Sequence, residues 1–379
     1  MPFDTMEIRF SLQKLLIGLI LVIVPLSVVG LYLTSEADTA LEQTIGSHFR
    51  SIAQTEGTAT SQFINDRVLD VAVLARNPAM VDAITAAQRS RQGLDDAAIT
   101  ARVEKIESTW ETPQPDPLVK AVLSSPTSQF LRHHREAEPR ILKILVADET
   151  GATVAATDKP LHYVQTNEVH WQAVYGGGRG GIYVSEIRYD DQTKANYLQI
   201  GMPVLEEGTG RFIGAVSALV DASSLLSRFQ REEIGQTTRI MLVRDDGTVI
   251  SAPNMDPSLR LKSDEYATVH DVLGTPQGRQ AGYVVASMRG GNRLVGFADT
   301  GLKKAYPNLG WLILVSQDER EALAPLRGLG HFALLMVVLA LLMLTLLTVY
   351  FFLHRRQGFE DIEVQAAEEP PKIGGAAAA

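Results

Sequence analysis

The residues best suited to chemistry fall between positions 163 and 197. They are Tyr163, His170, Trp171, Tyr183, Arg188, Tyr189 and Tyr197. Aromatic faces with one guanidinium, one imidazole and several phenol hydroxyls suit the capture of a small organic ligand better than bond making. The same aromatics can also form the core of a folded lobe. Spacing alone leaves both readings open.

Other patterns are weaker when set against their context. Gly176, Gly178 and Gly181 satisfy G-x-G-x-x-G, but a nucleotide loop needs a strand before it and a helix after it. Here a helix-like segment precedes and the aromatic strand Ile182-Tyr183-Val184-Ser185 follows, so a turn is expected. Ser11 and Lys14 match S-x-x-K with no partner motifs around them. The eight histidines are scattered, and none forms an i, i+4 pair with an acid, so no metal site is expected. Asp148-Glu149 and Asp245-Asp246 each precede a glycine in a hairpin turn, which explains them without a ligand. With no cysteine, thiol catalysis and thiolate metal sites are excluded. No cofactor and no enzyme activity are expected. A net charge of −9 argues against nucleic acid as a partner.

The elements that must position the aromatic stretch begin with two charge-free runs, Leu15–Thr34 and Phe332–Leu353. A hydrocarbon core of ~30 Å needs about 20 apolar helical residues, so each run is expected to span a membrane. Arg9 and Lys14 precede the first, and His354, Arg355 and Arg356 follow the second. Positive flanks stay in the cytoplasm. The expectation is a two-pass protein of the bacterial inner membrane, lipid around both spans, both termini cytoplasmic and a large periplasmic domain between.

Beyond the first span, Leu41, Ile45, Phe49, Ile52, Ala59 and Phe63 recur at helical spacing, which predicts a long stalk helix ended by Asn77-Pro78. This stripe serves a helix packed on its own domain or a dimer seam. Residues 79–139 read as helical and then irregular, because Pro113, Pro115, Pro117, Pro126 and Pro139 punctuate the second half. Then a hairpin appears twice. Ile141–Ala147, a turn at 148–151 and Thr153–Ala156 match Ile240–Val243, Arg244–Gly247 and Thr248–Ser251. The closing elements repeat too: a strand after Gly210 leads to Asp221 and a short helix, and Trp311–Val315 leads to Asp318. This is an internal duplication into two α+β lobes with antiparallel sheets.

On these residues, with Trp171-Gln172-Ala173-Val174, Gly201-Met202-Pro203-Val204 and Tyr306-Pro307-Asn308-Leu309-Gly310-Trp311, residues 35–326 resemble the double-Cache extracytoplasmic sensor domains of bacterial receptors. The resemblance implies two PAS-like lobes, with a small-molecule pocket in the membrane-distal one. Amino-acid-sensing members carry an arginine two residues before the tryptophan, where Val169 stands, and an aspartate near the end of the last strand, where Ala218-Leu219-Val220 stand and Asp221 comes slightly late, better placed to cap the helix that follows. An α-amino acid held in that manner is therefore not expected.

The resulting domain map is 1–14 cytoplasmic, 15–34 first span, 35–139 stalk and helical or irregular segment, 140–230 distal lobe, 231–330 proximal lobe, 331–353 second span and 354–379 cytoplasmic tail. That tail is too short for an output domain. The expected function is a ligand-binding sensor that signals through a separate partner, and the expected partners are a second copy of the chain or another membrane protein. The alternative is a structural or accessory subunit of a membrane complex that uses the same fold as a scaffold.

Overall fold

The computed structural model describes residues 12–110, 117–230, 236–255, 260–273, 280–288, 290–324 and 337–350. It divides into two compact units, 46–319 and, separately, 1–45 with 320–379.

Helix α1 (Leu12–Ala75) includes Pro25 and the expected stalk. It ends where Asn77-Pro78 predicts. The Asn77 side chain accepts the Ala79 N–H at 3.0 Å, and Pro78 opens α2 (Pro78–Arg89), where a missing N–H loses no helical bond. Helix α3 covers Asp96–Trp110. Past residue 116 the expected irregular stretch is helical instead: α4 (Pro117–Leu123) and α5 (Pro126–Ala137) each begin on a proline. At the first helical position proline starts a helix and does not break it. Pro113 and Pro115 lie outside the described residues.

Strands β1 (Ile141–Asp148), β2 (Thr153–Ala156), β3 (Tyr183–Val184), β4 (Arg188–Asp190), β5 (Ala195–Leu205) and β6 (Phe212–Asp221) form the distal sheet, with α6 (Val169–Tyr175) and α7 (Ser223–Arg228) beside them. Its order is β2-β1-β6-β5-β3, and β4 also pairs with β5. The proximal sheet uses β7 (Arg239–Arg244), β8 (Val249–Ser251), β9 (Ala281–Met288), β10 (Gly291–Asp299) and β11 (Trp311–Asp318), in the order β8-β7-β11-β10-β9, with α8 (Asp264–Leu273) on one face. The two orders match, as duplication requires. Asp221 serves as expected: its carboxylate accepts the Ser223 N–H at 2.8 Å at the start of α7.

Each sheet buries the middle of one face. In the distal lobe Ile144, Val146, Val216, Val220, Leu198 and Ile200 are buried on the face that carries α2 and α5. Gly214 on that face lets the Ile84 side chain of α2 approach. In the proximal lobe α1 crosses the face of Gly296 and Ile313. A Cβ on Gly296 would lie 2.6 Å from that of Phe49, so only glycine admits the helix this closely.

In the other unit, the described residues are the first part of α1, α9 (Glu319–Ala322) from Arg320, and a helix over 337–350. Most side chains of 12–35 and both ends of the second expected span lie outside the described residues. Among the described residues no helix is long and apolar enough to cross a membrane.

Candidate ligand-binding site

The second face of the distal sheet is built from alternate residues of β1, β5 and β6. Arg188, Tyr197 and Asp221 stand opposite one another across β4, β5 and β6. Gln199, Leu219 and Lys143 form the next row, and Gly201, Ser217 and Leu145 the one after. Pro203, Ala215 and Ala147 complete the face.

Helix α6 covers only the far end of it. Trp171 and Val174 pack with Ala147, Ala215, Phe212 and Tyr183 in one buried cluster. Gly201 makes this possible: a Cβ there would come within 2.6 Å of the Val174 side chain. Helix α6 then stops, because Gly176 takes a left-handed conformation at its end. Gly177, Gly178 and Gly180 also have positive φ, so the G-x-G-x-x-G run is a turn into β3 and no helix follows it.

The rows not covered by α6 remain half-buried: Lys143, Leu145, Tyr197, Gln199 and Leu219 are each partly open, although their neighbours on the opposite face are closed. Polar groups line this hollow. Gln199 donates to the Ser217 hydroxyl at 3.0 Å, and the Ser185 hydroxyl receives the Gln199 N–H at 2.8 Å. The β4–β5 turn closes one side, with Lys143 Nζ 2.7 Å from Gln192 and 3.1 Å from Asp190. Burial raises the Asp190 carboxyl, but hydrogen bonds from Thr193 and Lys143 outweigh it and hold it below the ordinary carboxylate value.

Arg188 differs from Lys143, because among the described residues its side chain makes no ion pair or hydrogen bond. Its charge is felt by two neighbours. Burial, with Arg188 second, lowers His170 to about 4, so this imidazole is neutral at pH 7. Burial raises the Tyr183 hydroxyl, opposed by Arg188 and assisted by Glu186 and Tyr197. Trp171 Nε1 is buried without a hydrogen-bond partner. Unpaired donors of this kind favour a ligand rich in acceptors. Among the described residues no group of three or more His, Asp or Glu side chains could hold a metal ion.

The chain belongs to the Cache domain family. Its family model matches residues 37–326. Cache domains are extracytoplasmic sensor domains of membrane receptors, and their work is to bind ligands. No curated protein matches this Cache chain. Solved structures similar to it include the ligand-binding domain of a Pseudomonas aeruginosa amino acid chemoreceptor in complex with GABA, at 15% identity, covering 72% of this chain and 100% of that one with a TM-score of 0.45. A Pseudomonas fluorescens chemoreceptor domain with L-leucine is similar at 16% identity, 75% and 99% coverage and a TM-score of 0.45. A Campylobacter jejuni chemoreceptor domain with L-norvaline is similar at 10% identity, 75% and 94% coverage and a TM-score of 0.49.

Within this Cache lobe the seven aromatic and basic residues separate into groups. His170, Tyr183, Arg188 and Tyr197 meet around the hollow, and the body of Trp171 lies in the adjoining core. Tyr189 is 53% exposed and pairs with Asn196, out of step with Arg188 on β4. Tyr163 stands at the opposite, β2 edge of the sheet. Its ring lies 5.1 Å from that of Trp110 and its carbonyl accepts the Thr153 N–H. Lys143, Gln199, Ser217 and Ser185 are site residues that aromatic content does not reveal. The signal for three of them is a polar residue at an alternate position of an apolar strand, as in Ile141-Leu142-Lys143-Ile144.

A cavity of about 780 Å³ also opens where the end of α1 meets the β5–β6 turn, lined by Ala72, Ala75, Pro78, Met202, Leu205 and Glu206. Glu206 there is already paired with Arg211 and Thr209. None of its lining residues is His170, Tyr183, Arg188 or Tyr197, so it is a second opening of this lobe. Arg76 and Asp82 line it as well, so this cavity carries charges of both signs.

Proposed function

We propose that this protein is a membrane-anchored sensor whose distal lobe binds a small organic anion in the hollow between the sheet, α6 and the β4–β5 turn. One observation carries the reading: Arg188 is an unpaired guanidinium at the head of a half-buried polar floor whose other cation, Lys143, is already neutralised by Asp190. Tyr183, Tyr197 and the neutral His170 supply further hydrogen-bonding groups. The ligand carboxylate is assigned to Arg188, and its apolar part to Leu145, Leu219 and Tyr197. The charge-free runs Leu15–Thr34 and Phe332–Leu353, flanked by cations, support anchoring by two spans with residues 35–331 outside the cytoplasm. The change on binding passes to whatever the membrane helices touch or are joined to, a partner membrane protein or a second copy of the chain.

The test is a thermal-shift screen of the detergent-solubilised chain against acetate, lactate, succinate, citrate and the L-amino acids, with matched amines as controls. At least one carboxylate raises Tm and the amines do not. A shift produced by the amines alone, or by nothing in the panel, contradicts the proposal.

A further inference from the structure

The segment that joins β3 to β4 has two sides. Toward the hollow it presents Tyr183 and Arg188, the residues argued above to meet the ligand. Away from it, two groups of the segment are held by the proximal lobe. Arg244 Nη2 lies 2.7 Å from the Glu186 carboxylate, and the Asn308 amide donates to the Val184 carbonyl at 3.0 Å. Both ion-pair partners are only partly exposed, Arg244 at 24% and Glu186 at 38%. Ser185, between Val184 and Glu186, is 1% exposed and exchanges hydrogen bonds with Gln199 on the pocket floor.

The two proximal residues converge on one strand. Arg244 ends β7 directly opposite Trp311, the first residue of β11. Asn308 lies in the turn that enters β11, and the next residues, Leu309 and Gly310, are fixed by bonds to Tyr306 and Asp245. Strand β11 is the central strand of its sheet, paired on both sides from Leu312 to Ser316. Pairing on both sides holds it straight, and in chain order α9 follows it directly.

We propose that Glu186–Arg244 and Val184–Asn308 form the strut by which the state of the distal site is read by β11. The inference rests on the hollow being the ligand site, and assigns Arg244 and Asn308 as positioning residues that touch no ligand. Filling or emptying the hollow displaces Tyr183 and Arg188, the short β3–β4 segment follows, and the strut carries that displacement to the start of the exit strand. Coupling of this kind is reciprocal, so a change at Arg244 must also be felt in the hollow.

Hydrogen–deuterium exchange on the full detergent-solubilised chain tests this without any ligand. Tyr183→Ala or, as a milder pocket-side change, Arg188→Ala is made in the wild type and in a Glu186→Gln, Asn308→Ala background. In the wild type the pocket change speeds amide exchange over 306–314 by about threefold, the scale of one partly exposed ion pair. In the cut background the same change leaves 306–314 unaltered, whereas a charge-exchanged chain, Glu186→Arg with Arg244→Glu and Asn308 intact, keeps the response. A response at 306–314 that survives the cut, or that never appears in the wild type, overturns the proposal. Failure of every carboxylate to bind would instead overturn the ligand reading, so the two failures are distinguishable.

Discussion

In the proximal lobe Met241, Val243, Val295, Phe297, Leu312 and Leu314 fill the face under α8, each between 0 and 5% exposed. At the corresponding face of the distal lobe stand Lys143, Leu145, Gln199, Gly201, Ser217 and Leu219, and most of them are half-buried. The strand order is the same in both. The difference lies in what covers and fills the face. Helix α8 has 10 residues and packs on β9, β10 and β11, whereas α6 has 7 and reaches only the end marked by Gly201. Duplication thus leaves one lobe with this face closed and the other with it half open and polar. A closed core suits a lobe that transmits, and an open polar face suits one that receives.

The largest expected effect breaks the comparison from the proximal side. Phe297→Ala removes a fully buried ring and is expected to lose about 3–5 kcal/mol in urea unfolding. Ser217→Ala on the distal floor is expected to lose no more than about 1 kcal/mol. Equal losses would mean that the two faces are not filled differently.

A pH dependence comes next. His170 holds its imidazole at about 4 when folded against 6.5 ordinarily, chiefly through burial and then through Arg188. Between those values the unfolded chain binds a proton that the folded chain does not. Stability from this group is therefore complete above pH 6.5 and falls by up to about 3 kcal/mol as pH drops toward 4. His170→Asn should remove that slope in urea midpoints measured from pH 7 to pH 4.5. A slope that survives the substitution would place the titrating group elsewhere.

The smallest stability effect is at Arg188. It is exposed and unpaired, so Arg188→Ala should alter unfolding by less than about 0.5 kcal/mol. The same substitution should abolish the Tm rise produced by a carboxylate. Loss of stability with retained binding would assign Arg188 to the fold and not to the ligand.

Much of this architecture is legible in residue order because it depends on local rules. Short continuous apolar runs around Asp148-Glu149-Thr150-Gly151 and Asp245-Asp246-Gly247 specify the hairpins, and Asn77-Pro78 marks both the end of α1 and the start of α2. The helices over 117–137 are harder to see, since Pro117 and Pro126 look like breakers until their place at the first helical position is known. The site is half legible. Aromatic clustering finds His170, Tyr183 and Tyr197, but strand pairing alone decides that Tyr163 goes to the β2 edge. Pairing also brings Lys143 to Gln192 and Asp190, residues 49 positions apart in the first case. Long-range register of that kind is carried by no local pattern.

The most direct test of a receiving distal lobe and a transmitting proximal one is an exchange footprint of the full chain with a carboxylate that raises its Tm. Binding should protect amides around 143–145, 183–199 and 217–221, should leave the α8 face around 264–273 unprotected, and should lose the distal protection in Arg188→Ala. Protection centred on 264–273 and 293–297, unaffected by Arg188→Ala, would contradict the account.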